Sequence, residues 1–487
     1  MTNRLDCLIV GAGISGLSLA HALKTQSPQA SSLNIGVREH QNRVGGNITT
    51  ESNGGFIWEE GPNSFSPSPE LLKLIVEVGL KQELVLANRK LPRYVYWNHQ
   101  LMAVPMSPPS LLTTKLLSHK GKLRALLGAI GFVQPAMGQQ LSQQDGEETV
   151  SQFFQRHLGT EVLKRLVEPF VSGVYAGNPQ QLEVGAAFSR VTRLEAAGGG
   201  LLPGAVLSRL RNRQTQIAPD PNLPQTQPGE LGSFRGGLKM LPEAIATQLG
   251  DQLRLNWTLK GLTRREDQIY LADFSTSQGL QQVEAKTVVL TTPADVTADI
   301  LRPLDSSLAE VLAEIPYPPV ACVVLAYPVS AFKQKLDGFG NLIPRGQGIR
   351  TLGTIWSSSL FSGRAPEGWQ TLTNFIGGST DPEIGQLEDD QIVKLVHQDL
   401  RQTLLKEEIQ PKVLAVNLWK RAIPQYDLGH LKRLETINQR LTQLPGLYLC
   451  SNYIDGVALG DCVRRAFQQA ETISKDLTHC RRQSSHL

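Results

Sequence analysis

The chain has 487 residues, 40% of them hydrophobic, and 48 Lys and Arg against 44 Asp and Glu leave a net charge of only +4. That length supports about three domains' worth of core, enough to enclose a large ligand, while so small and scattered a charge excludes a nucleic-acid partner. The five cysteines form no CxxC pair and no even-numbered framework, so reduced thiols are expected, with no disulfide and no metal site.

The first element is the apolar run Leu8–Val10, predicted to be a buried parallel strand, with Gly11 turning the chain into a helix that starts near Ile14. The spacing Gly11, Gly13, Gly16 is that of a dinucleotide cradle. Gly13 clears space for a pyrophosphate, Gly16 lets helix and strand approach, and the helix N-terminus around Ile14 and Ser15 offers unpaired N–H groups to the phosphates. Glu39 ends a predicted second strand, Leu33–Arg38, and is placed to accept hydrogen bonds from ribose hydroxyls. Arg43, Gly45 and Gly46 follow. The N-terminus enters the first strand within about five residues, so no signal segment is expected. No apolar run reaches the roughly twenty residues of a membrane span. A cytoplasmic or peripherally membrane-associated protein is the expectation.

Residues 54–64 read as a short strand entering a tight polar turn, or equally as an ordinary hairpin. Helical periodicity is predicted over 69–87, and Tyr94–Trp97 alternates towards an Asn98-His99 hairpin turn. Residues 105–205 read as largely helical. Within them, leucines interleaved with Lys115, Lys120, Lys122 and Arg124 make either a membrane-touching amphipathic surface or a plain helical core. The Gln-, Pro- and Asn-rich stretch 211–232 marks a loop or linker. A helix through Leu249, a strand Leu253–Thr258 and the apolar strand 287–293 return to α/β grammar. Then come β-rich runs at Val320–Tyr327, Thr351–Ser357 and Gln370–Ile376, with a helix over Asp389–Leu405. Leu447–Cys450, a glycine-containing turn and a terminal helix make a second place where backbone amides can approach a cofactor.

Four stretches, Trp58–Phe65, Glu168–Gly177, Leu352–Phe361 and Gly456–Gly460, together resemble the flavin amine oxidase superfamily, and more closely the oxygen-dependent protoporphyrinogen oxidases of plastid and cyanobacterial type. The resemblance runs over nearly the whole chain. It implies an α/β fold: a Rossmann-like, GR2-type FAD-binding domain assembled discontinuously from 1–88, 228–293 and 414–475. An α+β substrate domain would take 89–104 and 294–413, and a helical, membrane-contacting subdomain with its linker 105–227. Noncovalent FAD would be held by Gly11, Gly13, Ile14, Ser15, Gly16, Glu39, Arg43, Gly45, Gly46, Gly61, Pro62, Asn63 and Ser64, with Leu259, Trp419, Val457 and Ala458 near its adenine or isoalloxazine. Two departures stand out. Cys450-Ser451-Asn452 replaces a pattern that usually has two glycines before the asparagine, and Asp461 occupies a position where a basic residue is common.

The resemblance further implies oxidation of a porphyrinogen to a porphyrin in heme or chlorophyll biosynthesis, with flavin N5 accepting hydride from a meso carbon and molecular oxygen reoxidising the flavin to release hydrogen peroxide. Arg93 takes the family position that meets a substrate propionate, a role suited to a planar, bidentate guanidinium. Leu342 and Phe361 match positions that hold the macrocycle, and Gly177 one at its rim. No residue is assigned to acid–base catalysis, because the nine histidines show no metal or catalytic spacing. A homodimer is compatible with the resemblance. Coproporphyrinogen III as substrate, another amine oxidase-like activity, and an FAD-binding scaffold without turnover remain open at this point.

Overall fold

The computed structural model describes residues 4–26, 33–132, 147–214, 220–406 and 409–484. In chain order its strands are β1 (Leu5–Val10), β2 (Ile35–Arg38), β3 (Thr50–Asn53), β4 (Phe56–Glu59), β5 (Leu84–Leu86), β6 (Arg93–Trp97), β7 (Gln100–Ala103), β8 (Gly232–Phe234) and β9 (Leu253–Arg254). They continue as β10 (Thr258–Arg264), β11 (Tyr270–Thr276), β12 (Gly279–Leu290), β13 (Val320–Pro328), β14 (Gly340–Leu342), β15 (Thr351–Ile355), β16 (Trp369–Gly377), β17 (Lys412–Trp419) and β18 (Leu447–Leu449).

One sheet runs β10-β11-β12-β1-β2-β9, with β18 added on β12. Its centre is parallel: β1 lies between β2 and the second half of β12, which also pairs with β18. Both faces are covered, which explains why β1 and the end of β12 are continuous apolar runs. Helices Ile14–Thr25, Pro69–Glu77, Met240–Leu249 and Leu459–Ser484 supply one core. Helices Ala294–Leu301, Ser306–Ala313 and His430–Leu441 supply the other. The second sheet, β17-β13-β16-β15-β14-β6-β7, is mostly antiparallel, with the buried β13 one strand in from the β17 edge.

The expected boundaries shift accordingly. Helices 294–301 and 306–313 pack on the parallel sheet although they were expected with the substrate region, and the whole of β17 pairs with β13, so the expected break at 413/414 falls inside a strand. Sequence periodicity says that a segment is amphipathic and not which sheet it covers. The helix expected over 69–87 starts at Ser68, whose side chain accepts from the Leu71 N–H, and ends near Glu77. Gly79 then adopts a left-handed conformation, φ +81°, and residues 84–86 form β5. The second strand begins at Ile35 instead of Leu33, and the expected strand Leu253–Thr258 is divided into β9 and the start of β10. The Asn98-His99 turn has positive φ at both residues, 49° and 63°, which matches a two-residue hairpin loop.

Helices Pro108–Thr113, His119–Ala129, Val150–Leu158, Glu168–Tyr175, Ser189–Gly198 and Leu201–Gln214 make up the helical region. Leu112, Leu123, Leu126 and Phe132 are exposed, as are Val206 and Leu210. Lys115 and Lys120 stand beside them in solvent. Arg124 does not join this surface. Its guanidinium turns inward to the carbonyls of Arg156 and His157 and terminates the helix Val150–Leu158.

Strands β3 and β4 form a separate two-stranded sheet, and β4 ends at a buried ion pair. Glu59, at the end of β4, and Arg364 are 1% and 3% exposed, and Arg364 Nη1 lies 3.4 Å from Glu59 Oε1. Thr50 Oγ1 donates to Glu59 Oε2 at 2.5 Å and the Leu238 N–H to Oε1 at 3.0 Å, while Arg364 Nη2 donates to Ser233 Oγ at 2.7 Å. Burial pushes the Glu59 carboxyl up, and Arg364 with the two neutral donors pulls it back. Arg364→Leu is expected to cost about 3–5 kcal/mol, because it strands a buried carboxylate, and the double variant with Glu59→Leu to recover much of that loss. Urea denaturation measures both; a single variant as stable as the parent would show that Glu59 does not depend on its partner.

Candidate active site

The cradle is built from backbone. The helix Ile14–Thr25 begins at Gly13 with no side-chain cap and no acid in its first turn, so its leading N–H groups are left to a ligand. Gly11 has φ +108°, and a Cβ there would come within 2.5 Å of Thr291 Oγ1. A Cβ on Gly16 would collide with the Gly11 carbonyl oxygen. Gly13 forms a bridge with Gly45, whose N–H donates to the Ala12 carbonyl at 2.8 Å. Arg43 folds back on this loop, donating to the carbonyls of Val44 and Gly46 at 3.2 and 2.9 Å.

Glu39 is 5% exposed and closes the loop from the other side. Its Oε2 accepts from the Ala12 N–H at 2.7 Å, and its Oε1 from the Gln41 N–H at 2.8 Å and from His40 Nδ1 at 2.8 Å. Burial works to raise this carboxyl, but the bonds from His40, Ala12 and Gln41 outweigh it and hold the group below the usual range. A carboxylate has about four acceptor positions, and three are taken. One remains for a ribose hydroxyl on Oε2, and a second opens only if His40, 65% exposed, turns away. Leu259 sits two residues past Trp257, whose N–H donates to the Glu39 carbonyl at 2.8 Å.

The remaining expected cofactor residues lie on further segments. Gly61 packs on the Asn47 carbonyl and under Trp419, and Trp419 Nε1 donates to the Glu60 carbonyl at 2.8 Å. Asn63 Nδ2 reaches Ser357 Oγ and Thr373 Oγ1, both at 3.4 Å, while Pro62 is exposed and Ser64 half-buried. Val457 and Ala458 lie in the turn before the terminal helix, and Val457 packs against the core of the helical region. Asp461 is neutralised where it stands, by Arg464 at 2.7 Å. Cys450 is fully buried, and burial pushes its thiol up to about 12, which removes it as a nucleophile for covalent attachment.

Arg93, the first residue of β6, has its guanidinium 5.3 Å from the ring centroid of Phe339 and donates to the Gly229 carbonyl at 3.3 Å. Among the described residues it has no acidic partner, and burial lowers its pKa. It lines a cavity of about 10 Å³ with Asn88, Arg89, Leu91, Leu231, Phe339 and Leu360. Phe361 is buried just behind that wall, in one cluster with Leu360 and Phe339. Leu342 instead packs against Gly173 and Gly353, and Gly177 is closed in by Leu182 and Gln425. Neither lines the Arg93 cavity. Sequence reasoning missed Phe339, Leu360 and Gly229 at this place; Gly229 lay in a stretch read only as linker, and nothing local in the sequence signals its approach to β6.

The chain matches the family of flavin containing amine oxidoreductases over residues 14–474 and belongs to it. It is 45% identical over 475 residues to protoporphyrinogen oxidase 1, chloroplastic, of Arabidopsis thaliana, covering 96% of this chain and 87% of that one. It is 28% identical over 470 residues to coproporphyrinogen III oxidase of Bacillus subtilis, covering 94% and 95%. A solved Exiguobacterium structure, provisionally assigned as a protoporphyrinogen oxidase, superposes with a TM-score of 0.77 at 25% identity over 98% of this chain and 100% of that one. The protein is an FAD-dependent oxidoreductase. The residues fit that cofactor: an uncapped helix start, glycines that keep Cβ atoms out of the cradle, and an acid with one acceptor position to spare. Among the described residues no cluster of three His, Cys, Asp or Glu is placed to hold a metal, and no helix is long and apolar enough to cross a membrane.

Glu39→Ala is expected to weaken FAD retention by roughly ten- to a hundred-fold, the loss of one hydrogen bond to a charged acceptor at about 1.5–3 kcal/mol. Because the native carboxyl is held low, its contribution is present above about pH 4.5 and fades as pH falls through the depressed value. Flavin released on ultrafiltration reads the effect directly, and wild-type retention would place Glu39 outside the ribose site.

Proposed function

We propose that the chain oxidises protoporphyrinogen IX to protoporphyrin IX, removing six electrons as three pairs, each pair passing to molecular oxygen to give hydrogen peroxide. The observation that carries this reading is Arg93: a half-buried guanidinium with no acidic partner among the described residues, in a cavity it shares with Asn88, Arg89 and the apolar Leu91, Leu231, Phe339 and Leu360, on a chain whose Arabidopsis relative carries that activity in its name. A tetrapyrrole with apolar edges and carboxylate arms asks for that combination. Bound FAD supplies the hydride acceptor.

The chain's own residues bind and orient. The first-turn amides after Gly13 and the Glu39 carboxylate hold the dinucleotide, and Asn63 ties the turn Gly61–Ser64 to Thr373 of the second sheet and to Ser357, which follows β15. Arg93 exchanges its Gly229 carbonyl for a propionate. The cavity of about 10 Å³ beside it is the place for a carboxylate arm and not for the macrocycle itself. The parallel sheet with its helices then holds FAD, the second sheet carries the substrate, and the helical region faces a lipid surface.

Anaerobic mixing with protoporphyrinogen IX and, separately, coproporphyrinogen III tests the reading: flavin bleaching and porphyrin fluorescence are expected with the first, and bleaching by neither would overturn it. Arg93→Ala is expected to raise KM by roughly ten- to a hundred-fold with a native flavin spectrum, and Arg93→Lys to recover part of the loss, since an ammonium lacks the planar fork. Wild-type kinetics in Arg93→Ala would remove the propionate assignment.

The apolar surface of Leu112, Leu123, Leu126 and Phe132, flanked by Lys115 and Lys120, is expected to bind anionic vesicles at low salt and to release them at high salt. Flotation checks this. Lys115→Glu with Lys120→Glu should abolish binding, and flotation unchanged by charge reversal or salt would rule out the electrostatic component.

A further inference from the structure

Two buried rings outside the cradle hold the turn that carries Val457 and Ala458. Tyr426 and His430 are 3% and 1% exposed and stack with ring centroids 4.3 Å apart and planes 12° from parallel. The Tyr426 hydroxyl donates to the Asn452 carbonyl and accepts from the Gly456 N–H at 3.0 Å, bridging the two arms of the turn. His430 Nε2 lies 2.9 Å from the next carbonyl, that of Tyr453. A carbonyl can only accept, so Nε2 carries the proton in this arrangement. The rings therefore hold successive carbonyls, and among the described residues it is Tyr426 that secures the amide of Gly456, where φ is +88°.

The rings are themselves fixed from the side of the helical region. The Glu183 N–H donates to the Tyr426 carbonyl at 2.7 Å, Leu182 bridges Asp427, and Gln425 Nε2 donates to the Tyr175 carbonyl at 2.9 Å. Burial keeps the Tyr426 hydroxyl protonated and pushes His430 down to about 4, so both stay neutral donors at ordinary pH.

We infer that Tyr426 and His430 are positioning residues for FAD: a stacked clasp that sets the 452–458 turn before the cofactor arrives. This rests on the reading that Val457 and Ala458 lie against the cofactor. An unheld turn would have to order on binding, at a cost in affinity.

Tyr426→Phe keeps the ring and removes only the bridging hydroxyl. FAD retention, measured by ultrafiltration of the purified holoenzyme, is expected to fall about ten-fold, and the rise in thermal midpoint on adding FAD to shrink. A purely structural role would lower the midpoint equally with and without FAD. His430→Gln, which keeps a donor, is expected to retain more FAD than His430→Leu. In wild-type protein stripped of flavin, the Gly456 amide is expected to exchange slowly with deuterium; this measurement decides the matter even if the variants do not fold. Fast exchange at Gly456, or unaltered FAD retention in Tyr426→Phe beside a weakened Glu39→Ala control, overturns the clasp and leaves the cofactor reading standing. Unaltered retention in both variants would count against that reading as well.

Discussion

A turn with no room for side chains governs the rest of the molecule. Gly16 lies so close to the Gly11 carbonyl that a Cβ would collide, and Gly11 itself abuts Thr291, which arrives from the far end of β12 and donates to the Val10 carbonyl at 2.9 Å. This packing brings the uncapped start of the first helix over the strand ends. The loop's other polar groups are satisfied internally: the Ala12 N–H by Glu39 and the Ala12 carbonyl by the Gly45 N–H. What remains is the uncapped start of the helix, whose leading N–H groups are left for a ligand.

One short segment, Glu59–Asn63, contacts several distant parts of the chain. Glu59 enters the ion pair with Arg364, the Glu60 carbonyl accepts from Trp419 at the end of β17, and Asn63 reaches the Ser357–Thr373 hydroxyl pair. Arg364 also stands 5.7 Å over the ring of Phe361, in the cluster behind the Arg93 cavity. The turn Gly61–Ser64 and the wall beside Arg93 are thus braced by the same few side chains. A buried ion pair is a poor source of net stability, and its value here is geometric.

The helical region is held from inside by charge and shows apolar side chains outside. Arg156 pairs with Glu148 and Glu195 at 2.6 and 2.5 Å, and the fully buried His157 meets Glu195 at 3.0 Å. Arg124 caps the helix that carries both. With orientation fixed by this network, Leu112, Leu123 and Phe132 are not needed in the core and stay in solvent.

The amino-acid sequence alone determined the cradle: glycine spacing, a preceding apolar strand and an acid at the end of the next strand are local requirements, and Gly11, Gly16 and Glu39 stand where that pattern needs them. The hairpin at Asn98-His99, the buried β13 and the terminal helix were legible for the same reason, since turn chemistry and burial on both faces leave marks on neighbouring residues. Tertiary structure decided the rest. That helices 294–313 cover the parallel sheet, that β17 belongs to the other one, that Arg124 turns inward and that Gly229 meets Arg93 all depend on contacts between residues distant in the chain. The same holds for Tyr426 and His430, whose partners at 452–456 are some twenty to thirty positions away. Periodicity records how a segment divides water from core; it carries no information about which distant carbonyl a buried hydroxyl will find.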